Sequence, residues 1–213
     1  MTARDRSTPR HRLSAGRSLL IFTAAIPLIA CGDTSNEQSE TRLVEEQSAP
    51  VTIDTQAVRN ATYMSQFTES GFVTLAAGKY ESDEPEWRVK AGLDEHVAIG
   101  ELDGDTTVEA AVVLWTNTGG TGAFVDLAIL DARNGKIVNI ATRFLGDRLR
   151  IHSLNIVDGE IVLDATMHTP DDPMCCPSLR ATRRFRLDHG GLIEHGRPDG
   201  AVDYGPPNGN LIE

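Results

Sequence analysis

No catalytic signature is written into this chain. It has no G-x-S-x-G of a serine hydrolase and no H-E-x-x-H of a zinc protease. Its six histidines, His11, His96, His152, His168, His189 and His195, are scattered. Scattered residues can still meet in a fold, but no spacing here assembles an acid–base pair. A hydrolase is therefore the weakest functional reading. No internal repeat of fixed period is present, which argues against a solenoid or a complete propeller. Cysteine is scarce, with Cys31, Cys175 and Cys176 the three in the chain. Basic residues are in deficit, 20 Lys and Arg against 31 Asp and Glu.

The basic residues that do occur are unevenly placed. Arg4, Arg6, Arg10, Arg12 and Arg17 stand against one acid, Asp5, in the first seventeen residues. Residues 18–30, SLLIFTAAIPLIA, follow as an apolar run of 13 residues. A basic segment and then a short apolar segment is the pattern of an export signal, and the run is too short for a membrane-spanning helix. It ends Leu28-Ile29-Ala30-Cys31, which resembles the bacterial lipobox. That resemblance implies cleavage before Cys31 and lipid (palmitate-type chains) on its sulfur and on the new amino terminus. Each buried lipid CH₂ contributes about 0.8 kcal/mol, so several chains hold firmly where one holds weakly. The expected address is the bacterial cell envelope, anchored by lipid. Gly32 rather than Asp follows the cysteine, which favours the outer membrane facing the periplasm.

Removal of residues 1–30 leaves 15 basic against 30 acidic residues. Such a surface repels phosphate backbones and excludes nucleic acid as an expected partner. Residues 31–50 are polar and acidic, too poor in apolar side chains to order by burial. They read as a tether with a root-mean-square span of roughly 25 Å.

Residues 51–195 are expected to form a single domain. Apolar runs are short and separated by turn signals every 8–14 residues, the mark of an antiparallel β fold. The expected class is mainly β, a meander of hairpins forming a sandwich or a partly open barrel. A short helix is expected within residues 55–66. Hairpins are expected at 72–80, at Asn134-Gly135, at Asp158-Gly159 and across residues 188–191. Trp87, Val89, Ala91 and Leu93 alternate as a half-buried strand does. Residues 196–213 are rich in turn formers and are expected to be a loose tail.

Between two of the apolar runs lies an acidic turn. Glu101, Asp103 and Asp105 alternate, and Thr107 and Glu109 follow. Oxygens at alternate positions of one loop suit a hard cation, calcium above all. The pattern is a degenerate D-x-D-x-D-G-x-x-D loop, with Glu at its first and ninth positions and Thr106 where Gly is usual. A full EF-hand is excluded, because its twelfth position would be Val112. A solvated acidic turn without a metal is the competing reading.

The paired cysteines offer a second chemistry. An exported domain meets an oxidising compartment, where free thiols do not persist. Three readings stand: a vicinal disulfide stiffening a proline-rich loop, two buried or intermolecularly paired thiols, or a soft-metal (copper or zinc) or thiol-redox site. The last would draw on Met167, His168, Cys175 and Cys176, the thioether, imidazole and thiolate set that soft metals prefer. The Gly-rich residues 116–122 lack a lysine and a following helix, so they are a weak phosphate cradle.

Four segments together resemble a family of bacterial lipoproteins and exported proteins of no assigned activity. Its signature runs G-D-L-D/N-G-D-G-x-x-D-A-A-V-V-L, then T-N-T-G-G-S-G-T-F, then L-G-D-R, then T-H-x-x-x-D-P-x-C-C-P. The matching residues here are 100–114, 116–124, 145–148 and 167–177. This chain departs at Glu101, Thr106, Glu109 and Met167. The resemblance implies an exported domain and says almost nothing of activity. The sequence thus leads to a lipid-anchored, non-enzymatic binding or structural module with a calcium loop and an unidentified envelope protein or ligand as partner. Metal handling or redox work at Met167, His168, Cys175 and Cys176 is the alternative.

Overall fold

The computed structural model describes residues 51–82, 88–105, 107–202 and 204. The signal, Cys31, the tether, Trp87, Thr106 and most of the residues after 202 lie outside the described residues. The fold is mainly β and antiparallel, with eleven strands and one five-residue helix among the described residues.

Two strands fix the arrangement. β5 (Glu109–Asn117) and β6 (Phe124–Arg133) carry continuous rather than alternating apolar runs, and nearly every residue is buried. Continuous runs belong to strands covered on both faces. They are the centre of a five-stranded sheet, which adds β3 (Lys79–Glu81), β4 (Lys90–Gly100) and β7 (Lys136–Asp147) in the order β3-β4-β5-β6-β7.

One face of this sheet presents Ala111, Val113, Leu127 and Ile129 to a second, four-stranded sheet. That sheet holds β8 (Arg150–Val157), β9 (Glu160–Met167), β10 (Leu179–Asp188) and β11 (Gly191–His195), in the order β11-β10-β9-β8. It answers with Leu154, Ile161, Leu163, Ala165, Phe185 and Leu192. β9 alternates strictly, as a strand covered on one face must. β8 lies against β4 and β11 against β7, so the sheets meet along both edges as a flattened, partly open barrel.

The other face presents Val112, Leu114, Ala128 and Leu130 to an N-terminal layer. This layer is α1 (Thr55–Arg59) with the hairpin of β1 (Thr62–Met64) and β2 (Phe72–Thr74). Asp54 caps the helix by accepting the Ala57 N–H at 2.8 Å. A helix and hairpin this short are unstable alone. Val58, Tyr63 and Val73 hold them by burial, each contributing about 1.5–3 kcal/mol. Asn139 ties the layers together at a bulge in β7. Its Oδ1 accepts the Met64 N–H, and its Nδ2 donates to the carbonyls of Ile129 and Ala141, all at 2.8 Å.

The expected hairpins at Asn134-Gly135 and Asp158-Gly159 are present, pairing Arg133 with Lys136 and Val157 with Glu160. The last turn narrows to His189-Gly190, because Asp188 pairs with Gly191. All six turn residues have positive φ, as tight two-residue hairpins require. The hairpin expected at 72–80 is not one unit. β2 pairs with β1 and β3 with β4, and a tight turn at Ala77-Gly78 passes the chain from one sheet to the other. Of the residues expected to form the tail, 196–202 and 204 are described. Val202 donates to the His168 carbonyl at 3.4 Å, and the Tyr204 ring meets the Phe144 ring edge-on at 5.2 Å. Among the described residues no helix is long and apolar enough to cross a membrane.

Candidate functional site

The acidic turn joins β4 to β5, at one end of the central sheet. Gly100 pairs with Glu109, so the turn leaves and re-enters adjacent strands. Leu102 is buried in the inter-sheet core and pins the loop down. The carboxylates then order the backbone through a chain of local bonds. Glu101 Oε1 accepts the N–H groups of Asp103 at 3.0 Å and Gly104 at 2.6 Å. Asp103 Oδ1 accepts from Asp105 N at 3.2 Å. Asp105 Oδ1 accepts from Thr107, through N at 2.8 Å and Oγ1 at 2.6 Å. Such side-chain-to-backbone bonds two residues on are the ordinary chemistry of Asp in turns.

Three of the four acids converge. Ligand oxygens of Glu101, Asp103 and Glu109 lie within 4.8 Å of one another. Asp105 is not part of that group, because its carboxylate turns to Thr107. Thr107 reaches the group only through its hydroxyl, which donates to Glu109 Oε1 at 3.4 Å. Each carboxylate has about four lone-pair sites, so the bonds that orient Glu101 and Glu109 leave capacity for a cation.

Glu109 is the unusual member, wholly buried at the head of β5. Its Oε2 accepts the Leu102 N–H at 2.7 Å. Burial pushes its carboxyl up to about 7, the Leu102 bond opposes that, and the charges of Asp103, Glu101 and Asp131 add to the rise. Asp131 was missed in the sequence. Ala110 pairs with Leu130 across β5 and β6, so the next position in register sets Asp131 beside Glu109. Only the strand pairing reveals it, since 22 residues separate the two in sequence.

A second cluster occupies the opposite end of the sheet, where β5 turns into β6. Arg148, in the corner between β7 and β8, holds three loops at once. Its Nη2 donates to the Thr121 carbonyl at 2.9 Å and to Thr121 Oγ1 at 3.1 Å. Its Nη1 donates to the Met174 carbonyl at 2.8 Å and forms an ion pair with Asp147. Asp147 Oδ1 in turn accepts the Ala123 N–H at 2.7 Å. Residues 116–124, 145–148 and 167–177 therefore meet at one guanidinium. Within the Gly-rich loop Asn117 Nδ2 donates to the carbonyls of Gly120 and Gly122. Asn117 and Arg148 thus brace this connection between β5 and β6.

The loop from β9 to β10 carries the cysteines. Cys175 and Cys176 are joined by a vicinal disulfide, and both are exposed. Met167 points into the inter-sheet core, and His168 is buried with its Nε2 unpartnered. The four residues of the soft-metal reading are thus divided between a core and a surface. Among the described residues the one converging group of three or more His, Cys, Asp or Glu ligands is the acidic one.

Compared with known proteins, the chain matches no family model, no curated protein and no solved structure.

Proposed function

We propose that this chain is a lipid-anchored module of the bacterial cell envelope, a β domain that binds calcium at its β4–β5 turn and presents its surface to an envelope protein or ligand. The reading is of a binding or structural module rather than an enzyme. The observation that carries it is the convergence of Glu101, Asp103 and Glu109 within 4.8 Å. Three carboxylates that close repel one another when ionised, and one of them is buried. A divalent cation relieves both costs, and calcium accepts such an irregular oxygen shell more readily than magnesium. The lipobox and the excess of acid over base in the mature chain support the address.

The metal part is tested by thermal melting of the mature protein against calcium, with magnesium as control. At about one hundred times the dissociation constant, a ligand specific to the folded state adds about 2.7 kcal/mol. For a domain of this size that corresponds to a rise of about 5–10 °C. An unchanged melting temperature at millimolar calcium removes calcium from the account. The anchor is tested separately by metabolic palmitate labelling, with a Cys31→Ala control.

A further inference from the structure

We propose that the Cys175–Cys176 disulfide is a surface site for thiol–disulfide exchange, taking two electrons from the dithiol of a second protein. This assignment rests on the loop between β9 and β10 and not on the calcium turn.

The first argument is what the bond does not do. A disulfide stabilises a fold largely by closing a loop in the unfolded chain, more so the longer the loop. Adjacent residues enclose no loop, so this bond contributes almost nothing by that route. Nor does it join two elements, because both sulfurs lie on one turn. That turn closes through the Cys176 N–H, which donates to the Pro173 carbonyl at 2.9 Å.

The second argument is that the loop is held by other means. Asp172 fastens both of its ends. Its Oδ2 accepts the N–H groups of Thr169 at 2.8 Å and Ser178 at 2.9 Å, and its Oδ1 accepts the Ser178 hydroxyl at 2.7 Å. Arg148 holds the Met174 carbonyl, one residue before the first sulfur. These bonds involve neither sulfur, so the loop keeps its place whichever oxidation state the cysteines adopt.

The third argument is access. Cys175 and Cys176 are exposed, and Met174 beside them is 72 % exposed, an apolar contact for an incoming partner. Attack by a thiolate needs an open line to one sulfur, and an accessible disulfide is the kind that exchanges.

The step balances as follows. A thiolate of the partner attacks one sulfur of the pair, forming a mixed disulfide and breaking the Cys175–Cys176 bond. The displaced sulfur leaves as a thiolate and takes a proton. The partner's second thiol then displaces the remaining sulfur. The partner ends as a disulfide and this chain as a dithiol, with two electrons and two protons transferred.

The test uses the full lipidated chain in detergent, with dithiothreitol as the dithiol and oxidised glutathione for the return. Alkylation is read by mass spectrometry on the peptide containing Cys175 and Cys176, which separates them from Cys31. The expected result is complete labelling of both cysteines after dithiothreitol in native buffer, reversal by oxidised glutathione, and a melting temperature that shifts by less than about 3 °C. Labelling that appears only after denaturation, a ring that does not reform, or a larger fall in melting temperature on reduction overturns the proposal. A Cys175→Ser variant supplies an independent readout. Cys176 alone should then trap a mixed disulfide with a single-cysteine variant of a C-x-x-C oxidoreductase supplied in its disulfide-activated form, and failure to form that adduct counts against an accessible exchange site.

Discussion

Arg183 on β10 grips Glu194 on β11 with two parallel bonds, Nε to Oε1 at 2.6 Å and Nη2 to Oε2 at 2.9 Å. Both side chains are buried on the inner face of the four-stranded sheet. Arg143 of β7 approaches the same carboxylate at 3.4 Å and donates to the Leu192 carbonyl at 3.1 Å. Arg183 also donates to the Leu145 carbonyl at 3.1 Å, and both guanidiniums lie over the Phe185 ring. The network therefore ties β7 to β10 and β11 across the seam between the sheets. Burial works to raise the Glu194 carboxyl, but the Arg183 bonds and the charges of Arg183, Arg197 and Arg143 hold it below the ordinary glutamate range.

Removing one partner of such a network leaves buried charge without compensation. Glu194→Gln is expected to cost about 3–5 kcal/mol in urea unfolding. The double variant Arg183→Met, Glu194→Leu is expected to lose less than Glu194→Gln alone, because an apolar pair needs no counter-charge. Equal or greater loss in the double variant would show that geometry, not charge, sets the cost.

Asp126 is the opposite case. It sits on β6 facing the N-terminal layer, buried, with Oδ2 unpartnered. Leu114 and Phe144 are its cross-strand neighbours, and Thr116, diagonal to it, keeps its own hydroxyl unpartnered. Burial pushes the Asp126 carboxyl up to about 7. The folded state then binds a proton that the unfolded state, with a carboxyl near about 4, releases. This contribution makes stability fall as pH rises from about 4 to about 7, and it levels off above. Asp126→Asn is expected to raise the melting temperature at pH 8 and to change it little at pH 5. Equal shifts at the two pH values would contradict the assignment.

Gly146 marks the corner where the chain leaves β7. Its φ is +137°, and a Cβ there would lie 2.5 Å from the Tyr204 ring and 2.9 Å from Leu149. Gly146→Ala is expected to destabilise the domain by about 1–3 kcal/mol. Tyr204→Ala frees that space, so the double variant should recover part of the loss. A neutral Gly146→Ala would mean that the tail is not seated on the corner.

The fold was legible where one strand carries its own pattern. β9 alternates, and Asn134-Gly135 and Asp158-Gly159 state their turns locally. What pairs with what was less legible. Phe72 to Tyr80 looked like a hairpin because Ala77-Gly78 is a tight turn, but which sheet each strand joins depends on partners far along the chain. The acidic turn was found from alternate spacing, yet spacing made Asp105 and Thr107 equal members. Only the folded loop turns Asp105 onto Thr107 and brings Glu109 back to Glu101. Asp131, Arg183 and Glu194 carried no local signal, because their meaning comes from register. The meeting of three loops at Arg148 was hidden for the same reason.

Glu109 gives the turn a pH response of definite sign. Without a cation its carboxyl sits at about 7, so a calcium ion competes with a proton below that pH. Calcium affinity is expected to rise from pH 5.5 to pH 7 and to flatten above pH 8. Calorimetry in two buffers of different ionisation enthalpy should show proton release at the lower pH. An affinity independent of pH would place the cation away from Glu109.

The most direct measurement is calorimetric titration of calcium into the mature protein at pH 7.5, beside Glu109→Gln. Glutamine keeps an acceptor for the Leu102 N–H, so the turn is retained while the buried charge is removed. The account predicts one calcium per chain in the parent and a loss of at least about tenfold in affinity in the variant, about 1.4 kcal/mol. No binding heat in the parent, or equal binding in the two proteins, would contradict it.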